Sequence, residues 1–250
     1  MKKFNLGLCS VSFRSHTPED IIKECKKLSL NSIEWGSDVH APCDNIENLQ
    51  NIASLQNKYG ISCSSYGTYF ILGKDSLDTL EDYINAAGIL GTNVLRLWCG
   101  EKGSLEYSDT EKEELVSECI KASEIAQKHN VILCMECHNG SLTDTAASAV
   151  ELMKRVNSPH FKMYWQTNIK GDEVLGLAEA KLLAPYTVNI HTFYWVDNVQ
   201  KSLADGISTW KRYLNEFEGE KTLLIEFVPG GKIETLAKEA EALKNIVQDM

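Results

Sequence analysis

Short apolar runs alternate with polar turns and longer amphipathic stretches along the whole chain. The runs predict strands at Asn5–Val11, Ser32–Gly36, Ser62–Tyr66, Asn93–Trp98, Val131–Cys137, Phe161–Gln166, Thr187–His191 and Thr222–Phe227. The stretches between them predict helices at Thr17–Leu28, Ile46–Tyr59, Asp75–Leu90, Thr110–His129, Thr143–Val156, Glu173–Leu183, Lys201–Phe217 and Ile233–Asp249. Start signals support several of these. Thr17 before Pro18 and Glu19 has the form of an N-cap with proline at the first helical position. Asp109 or Thr110 ahead of Glu113 and Glu114 predicts an acidic first turn. Gly60 and Gly91 sit just past helix ends, where a left-handed residue is favoured. Eight strand–helix pairs with no break in composition predict an α/β fold, a single (β/α)8 barrel domain over residues 1–250. The rival, an open doubly wound sheet, usually carries a glycine-rich loop after its first strand. Here that strand runs into "CSVSFRSH".

In such a barrel the chemistry sits at the C-terminal strand ends, and alternate residues share a face. Glu34, Asp38 and His40 share parity at the end of the second strand if the chain stays extended. The fourth strand offers Arg96 and Trp98, and the fifth Glu136 and His138. The sixth offers Tyr164, Gln166 and Asn168, the seventh His191 and Phe193, and the eighth Glu226. Each has a bland reading: a salt-bridged core glutamate, a hydrogen-bonded core histidine, a packed tryptophan, an amide that satisfies backbone. Arg96 could be the counter-ion of buried carboxylates. Together they argue otherwise, because several carboxylates buried around one axis each cost several kcal/mol of desolvation without a cation. Two glutamates, a histidine and an amide oxygen form a hard O/N donor set, suited to Mn²⁺, Mg²⁺ or Co²⁺, with Zn²⁺ as a further candidate. The expected ligands of this one divalent metal are Glu136, Gln166, His191 and Glu226.

A net charge of -10 argues against a nucleic-acid partner, whose phosphates need clustered Lys and Arg. The eight cysteines are expected to be buried free thiols of a cytoplasmic protein. Cys134 and Cys137 fit C-x-x-C, but three residues apart on a strand they point to opposite faces. "MKKFNLGLCSVSF" is a first strand rather than a signal peptide, since Asn5 interrupts it and charge follows. No segment approaches the roughly 20 apolar residues of a membrane span. A homodimer is a possible assembly.

"IEWGSDVHAP", "SSYGTYF", "VLRLWCG", "ECHNGSLTDT", "YWQTN", "HTFYW" and "IEFV" resemble the sugar phosphate isomerase/epimerase family, the xylose isomerase-like barrels, over essentially all eight units. That family is related to ketose 3-epimerases, inosose dehydratase and endonuclease IV. The resemblance implies a metal site of Glu, Asp, His and Glu from the fifth to eighth strands. Glu136, His191 and Glu226 match, and Gln166 stands where the family has Asp; Asn168 is the alternative under a register two residues later. It further implies that Glu136 and Glu226 move protons on opposite sides of a substrate carbon through a metal-stabilised enediolate, in isomerisation or epimerisation of a sugar, sugar phosphate or related polyol. The substrate-contacting Glu that ketose epimerases carry six residues beyond the fifth-strand ligand is Leu142 here.

Expected substrate contacts are Glu34, His40, Tyr69, Arg96, Trp98, His138 and Asn168, with an apolar wall from Phe13, Tyr69, Trp98 and Phe193. "VPGGKIET", with Gly230, Gly231 and Lys232, is either a phosphate cradle or a plain strand-to-helix turn. Three rivals remain. One is a lyase of the inosose-dehydratase kind. A second is an endonuclease IV-like enzyme, disfavoured by six histidines and the acidic balance. The third is a non-catalytic sugar-binding relative.

Overall fold

A computed structural model describes residues 3–168, 170–248 and 250. Its strands are β1 (Lys3–Cys9), β2 (Ser32–Gly36), β3 (Ser62–Leu72), β4 (Val94–Cys99), β5 (Ile132–Glu136), β6 (Phe161–Trp165), β7 (Thr187–Thr192), β8 (Tyr194–Val196), β9 (Val199–Lys201) and β10 (Glu220–Ile225). The helices are α1 (Pro18–Lys27), α2 (Ile46–Tyr59), α3 (Leu80–Leu90), α4 (Asp109–His129), α5 (Ala146–Val156), α6 (Glu173–Leu183), α7 (Ile207–Leu214) and α8 (Leu236–Val247). Eight parallel strands close a barrel in the order β1-β10-β7-β6-β5-β4-β3-β2, while β8 and β9 form a separate antiparallel hairpin. The fold is the expected (β/α)8 barrel.

Side-chain alternation divides the interior into two layers with different tasks. Outward residues such as Ile33, Trp35, Leu95, Leu133, Met163 and Ile190 pack against the helices in the larger core. Inward residues Val94, Cys134, Tyr164 and Leu224 form a small apolar floor inside the barrel. Two residues further along the same strands stand Arg96, Glu136, Gln166 and Glu226. Fully burying one Leu- or Ile-sized side chain contributes about 1.5–3 kcal/mol. The outer core supplies most of that, which leaves the upper barrel free to carry polar groups.

The helix starts follow local chemistry. The Thr17 side chain accepts from the Asp20 N–H, with Pro18 at the first helical position, as expected. Gly60 and Gly91 end α2 and α3 at φ 66° and 85°. The cap of α4 is Ser108 rather than Asp109 or Thr110: Ser108 and Glu111 form a reciprocal capping box. Elsewhere the bounds move. After Cys9 the chain enters a 3-10 turn, Ser10–Phe13, instead of staying extended to Val11. Strand β3 runs on to Leu72, past an irregularity between Gly67 and Ile71 that holds Tyr69 at φ 56°. The expected helices from Asp75, Lys201 and Ile233 begin as short 3-10 turns, and Asp249 lies outside the described residues. All eight cysteines are free thiols, and six are buried. Cys134 belongs to the barrel floor, whereas Cys137 packs on the outer core, so the C-x-x-C pair is split as strand geometry requires. No helix among the described residues is long and apolar enough to cross a membrane.

Candidate active site

A cavity of about 530 Å³ opens at the C-terminal end of the barrel. Arg96, Glu136, Gln166 and Glu226 come from its floor, and Tyr69, Trp98, His138, Asn168 and Phe193 from its wall. Beneath the floor is His191, fully buried. Three oxygens surround its Nδ1: Gln166 Oε1 at 3.0 Å, Glu226 Oε2 at 3.3 Å and Glu136 Oε1 at 3.6 Å. Glu136, His191 and Glu226 each offer an atom within 4.8 Å of the others. The Gln166 amide is oriented from behind, because its NH2 donates to the Cys137 carbonyl at 2.8 Å and so turns its oxygen inward. Buried Glu226 Oε2 makes no hydrogen bond.

The two glutamates sit in unlike surroundings. Burial pushes the Glu136 carboxyl up, but the Arg96 guanidinium more than offsets this and leaves it at about 2. Arg96 donates to Glu136 Oε2, as does Trp98 Nε1 at 2.6 Å. Burial, reinforced by the Glu136 charge, pushes Glu226 from 4.5 up to about 7. Burial works against charge on His191, yet the Glu226 and Glu34 carboxylates hold its imidazolium well above the usual range. Two carboxyls driven apart in this way are the pattern expected of an acid/base pair.

Arg96 crosses the barrel because β3 lets it. A Cβ on Gly67 would stand 2.8 Å from Arg96 Nη2 and 3.2 Å from Glu34 Oε1. Gly67→Ala should therefore displace the guanidinium and destabilise the protein by about 1–3 kcal/mol. Urea denaturation beside the wild type checks this, and an unchanged midpoint would contradict it.

Two residues expected to touch substrate do not line the cavity. Glu34 is fully buried and outside the cavity, because β2 sits lower against Cys9 and Ser65 than strand-end parity suggests. His40 follows the end of β2 at Gly36, where the chain turns and parity lapses. Its ring nitrogens lie 3.1 Å from Ser10 Oγ and 3.2 Å from the His16 carbonyl oxygen, a structural role away from the cavity. Phe13, expected in the apolar wall, is buried in the outer core. Tyr69, Trp98 and Phe193 do line the cavity; Tyr69 meets Trp98 edge-on at 5.3 Å, and His138 stacks on Trp98 at 4.8 Å. Asn168 lines it too, with Oδ1 accepting from the Lys170 N–H at 3.1 Å. Gly231 reaches the rim, while Lys232 is not among the lining residues.

Sequence reasoning missed Arg14 and Phe227. Arg14 Nε donates to Asp38 at 2.7 Å and Nη2 to the Tyr69 hydroxyl at 2.7 Å, fixing the rim. Phe227 stands at φ 57° with its ring 5.4 Å from Phe193. Neither carries a local signal: one precedes a polar turn, the other closes an apolar run.

A family model described as xylose isomerase-like TIM barrel matches residues 22–191. The 3-dehydroshikimate dehydratase of Bacillus anthracis is 26% identical over 168 residues, 63% of this chain and 59% of that protein, so the match spans under two thirds of the relative's length. Among solved structures, a probable 3-DHS dehydratase from Bacillus anthracis superposes with a TM-score of 0.77 at 20% identity, covering 98% of this chain and 99% of that one. A D-psicose 3-epimerase from Clostridium cellulolyticum H10 gives 0.70 at 14% identity over 96% and 97%. A D-allulose 3-epimerase from Methylomonas sp. gives 0.72 at 13% over 99% of each chain. At such identities the structural likeness shows the fold.

Proposed function

The chain belongs to the xylose isomerase-like TIM-barrel family, and from that premise we propose that it is a divalent-metal-dependent isomerase or epimerase of a sugar, sugar phosphate or related polyol. The observation that carries this reading is the convergence of Gln166 Oε1, Glu136 Oε1 and Glu226 Oε2 on His191 Nδ1. Three oxygen acceptors around one ring nitrogen repel one another unless a proton or a cation sits among them, and the orphaned Glu226 Oε2 lacks any hydrogen-bond donor. The residues fit a hard divalent ion, Mn²⁺ above all, held by Glu136, Gln166, His191 and Glu226. The neutral Gln166 lowers the ligand charge by one relative to an aspartate. When bound, the ion supplies Lewis acidity at the substrate's carbonyl and hydroxyl oxygens.

The remaining chemistry belongs to the side chains. Glu226 removes a proton from the carbon beside the carbonyl, and the C–H electrons move into an enediolate. Glu226 then returns that proton to the neighbouring carbon to complete isomerisation; in epimerisation Glu136, held on Oε2 by Arg96 and Trp98, delivers from the other side a proton first taken up from water. Trp98, Tyr69 and Phe193 offer an apolar wall to the sugar face, and His138 and Asn168 offer polar contacts. The reading places the enzyme in the cytoplasm, with a small-molecule substrate. A second reading, dehydration, follows from the dehydratase relative: the same base takes the proton and a β-hydroxyl leaves as water. Product masses separate the two, since loss of 18 mass units (about one water) would replace isomerisation by elimination.

The test is a calorimetric titration of chelator-stripped protein with Mn²⁺, at several pH values, beside Glu136→Gln. One-site binding should vanish in the variant. Affinity in the wild type should climb as pH rises through about 7, because the ion displaces protons from Glu226 and His191. A wild type that binds no Mn²⁺ would remove the metal-dependent mechanism.

A further inference from the structure

Glu34 reaches from β2 into the centre of the barrel, fully buried and out of reach of the cavity. Its Oε1 lies 2.9 Å from Arg96 Nε, 3.1 Å from Cys9 Sγ and 3.3 Å from His191 Nε2, and its Oε2 accepts from Ser65 Oγ at 3.1 Å. Arg96 Nε donates to that same Oε1 and Ser65 Oγ donates to Oε2, so both oxygens of Glu34 act as acceptors. His191 Nε2 must therefore carry the hydrogen in this pair. In the neutral ring the lone pair then falls on Nδ1, the atom that faces Gln166, Glu226 and Glu136.

The same Glu34 oxygen also receives Arg96 Nε, and a second nitrogen of that guanidinium donates to Glu136 Oε2. Arg96 thus occupies one oxygen of Glu136 and leaves Oε1 turned toward His191. One carboxylate on the second strand presets two members of a cluster built on the fifth to eighth barrel strands. Cys9, Glu34 and His191 also gather within 4.8 Å, but that group is a donor set around Glu34 rather than a second metal site. The Cys9 thiol donates to Glu34 Oε1 at 3.1 Å.

We propose that Glu34 is a positioning residue: it fixes the Nε2–H tautomer of His191 and the seat of Arg96, and thereby presents His191 Nδ1 and Glu136 Oε1 to a divalent ion. The proposal rests on the metal-site reading above and deepens it. Groups that hold the far nitrogen of a metal-bound histidine typically change metal affinity 10- to 100-fold when removed.

The test pairs Mn²⁺ calorimetry on chelator-stripped protein with long-range ¹H–¹⁵N spectra of the His191 ring. The spectra are taken without metal and titrated until the ring is neutral. The wild type should show a single Nε2–H tautomer. Glu34→Ala should mix the tautomers and weaken Mn²⁺ binding about 10- to 100-fold. Glu34→Gln, whose carbonyl can take over the bonds of Oε1, should recover the single tautomer and most of the affinity. Wild-type tautomer and affinity in Glu34→Ala would overturn the proposal. So would a wild-type ring protonated at Nδ1 alone, a result that stands even if the alanine variant fails to fold. Should the wild type bind no Mn²⁺, the metal reading falls by itself, and the ring spectra still decide whether Glu34 sets His191.

Discussion

Glu226→Gln should lose about 10²- to 10⁴-fold in turnover at saturating Mn²⁺ while keeping the fold, the range expected when a positioned general base is removed. Glutamine has the shape of glutamate but its amide does not take a proton from carbon. The readout is deuterium incorporation from heavy water into a panel of ketoses and polyols. Exchange within a few-fold of the wild type would remove Glu226 from proton transfer. Stability supplies a second readout, independent of substrate. The Glu226 carboxyl is raised from 4.5 to about 7, so the folded state holds its proton more tightly than the unfolded chain. The stabilisation is complete below about 4.5 and is lost as pH rises through about 7. Metal-free wild type should thus weaken across that window in urea titrations, and Glu226→Gln should lack that slope. A variant that is inactive yet keeps the slope would point to some other group as its source.

How much of this was legible in the chain depends on what each signal measures. Strand β2 and helices α2 and α6 fall at their expected bounds because turn residues punctuate both ends. The barrel follows from the alternation of such units. Parity along the strands brings Arg96, Glu136, Gln166 and Glu226 to one floor with His191 under it, since each stands two residues beyond an inward position. Parity reports a face, however, and not a height. The register that pairs Glu34 with Cys9 and Ser65 drops it below the cavity, and no pattern within β2 encodes that stagger. Beyond a strand end parity says nothing, which is how His40 was misplaced. Two local signals were present and passed over. Ser108-x-x-Glu111 has the spacing of a capping box. Asp197-Asn198 is a two-residue loop with both φ positive, at 51° and 61°, the chemistry of a tight hairpin turn between β8 and β9.

Arg96→Met should destabilise metal-free protein by about 3–5 kcal/mol, the cost of leaving buried carboxylates without their partner. Arg96 is 3% exposed and joins Glu34 to Glu136. Methionine fills much of the volume, so packing is a smaller loss than charge. The pH dependence identifies the cause. In the wild type Arg96 overcomes burial and lowers the Glu136 carboxyl from 4.5 to about 2. That contribution is present above about 4.5 and is lost as pH falls through about 2, so it is flat between neutrality and mild acid. In the variant burial acts unopposed by the guanidinium. Glu34 and Glu136 then take up protons more readily when folded than when unfolded, and stability rises as pH falls. The gap between variant and wild type should therefore narrow from neutral pH toward pH 5 (roughly one unit above an ordinary carboxyl). Adding Glu136→Gln to Arg96→Met should recover part of the loss, because one of the two stranded charges is gone. Urea denaturation of the wild type, both single variants and the double variant in chelator at several pH values completes the cycle. A penalty that is small and independent of pH would show that the guanidinium is packing rather than the counter-ion on which the Glu34–Arg96–Glu136 array depends.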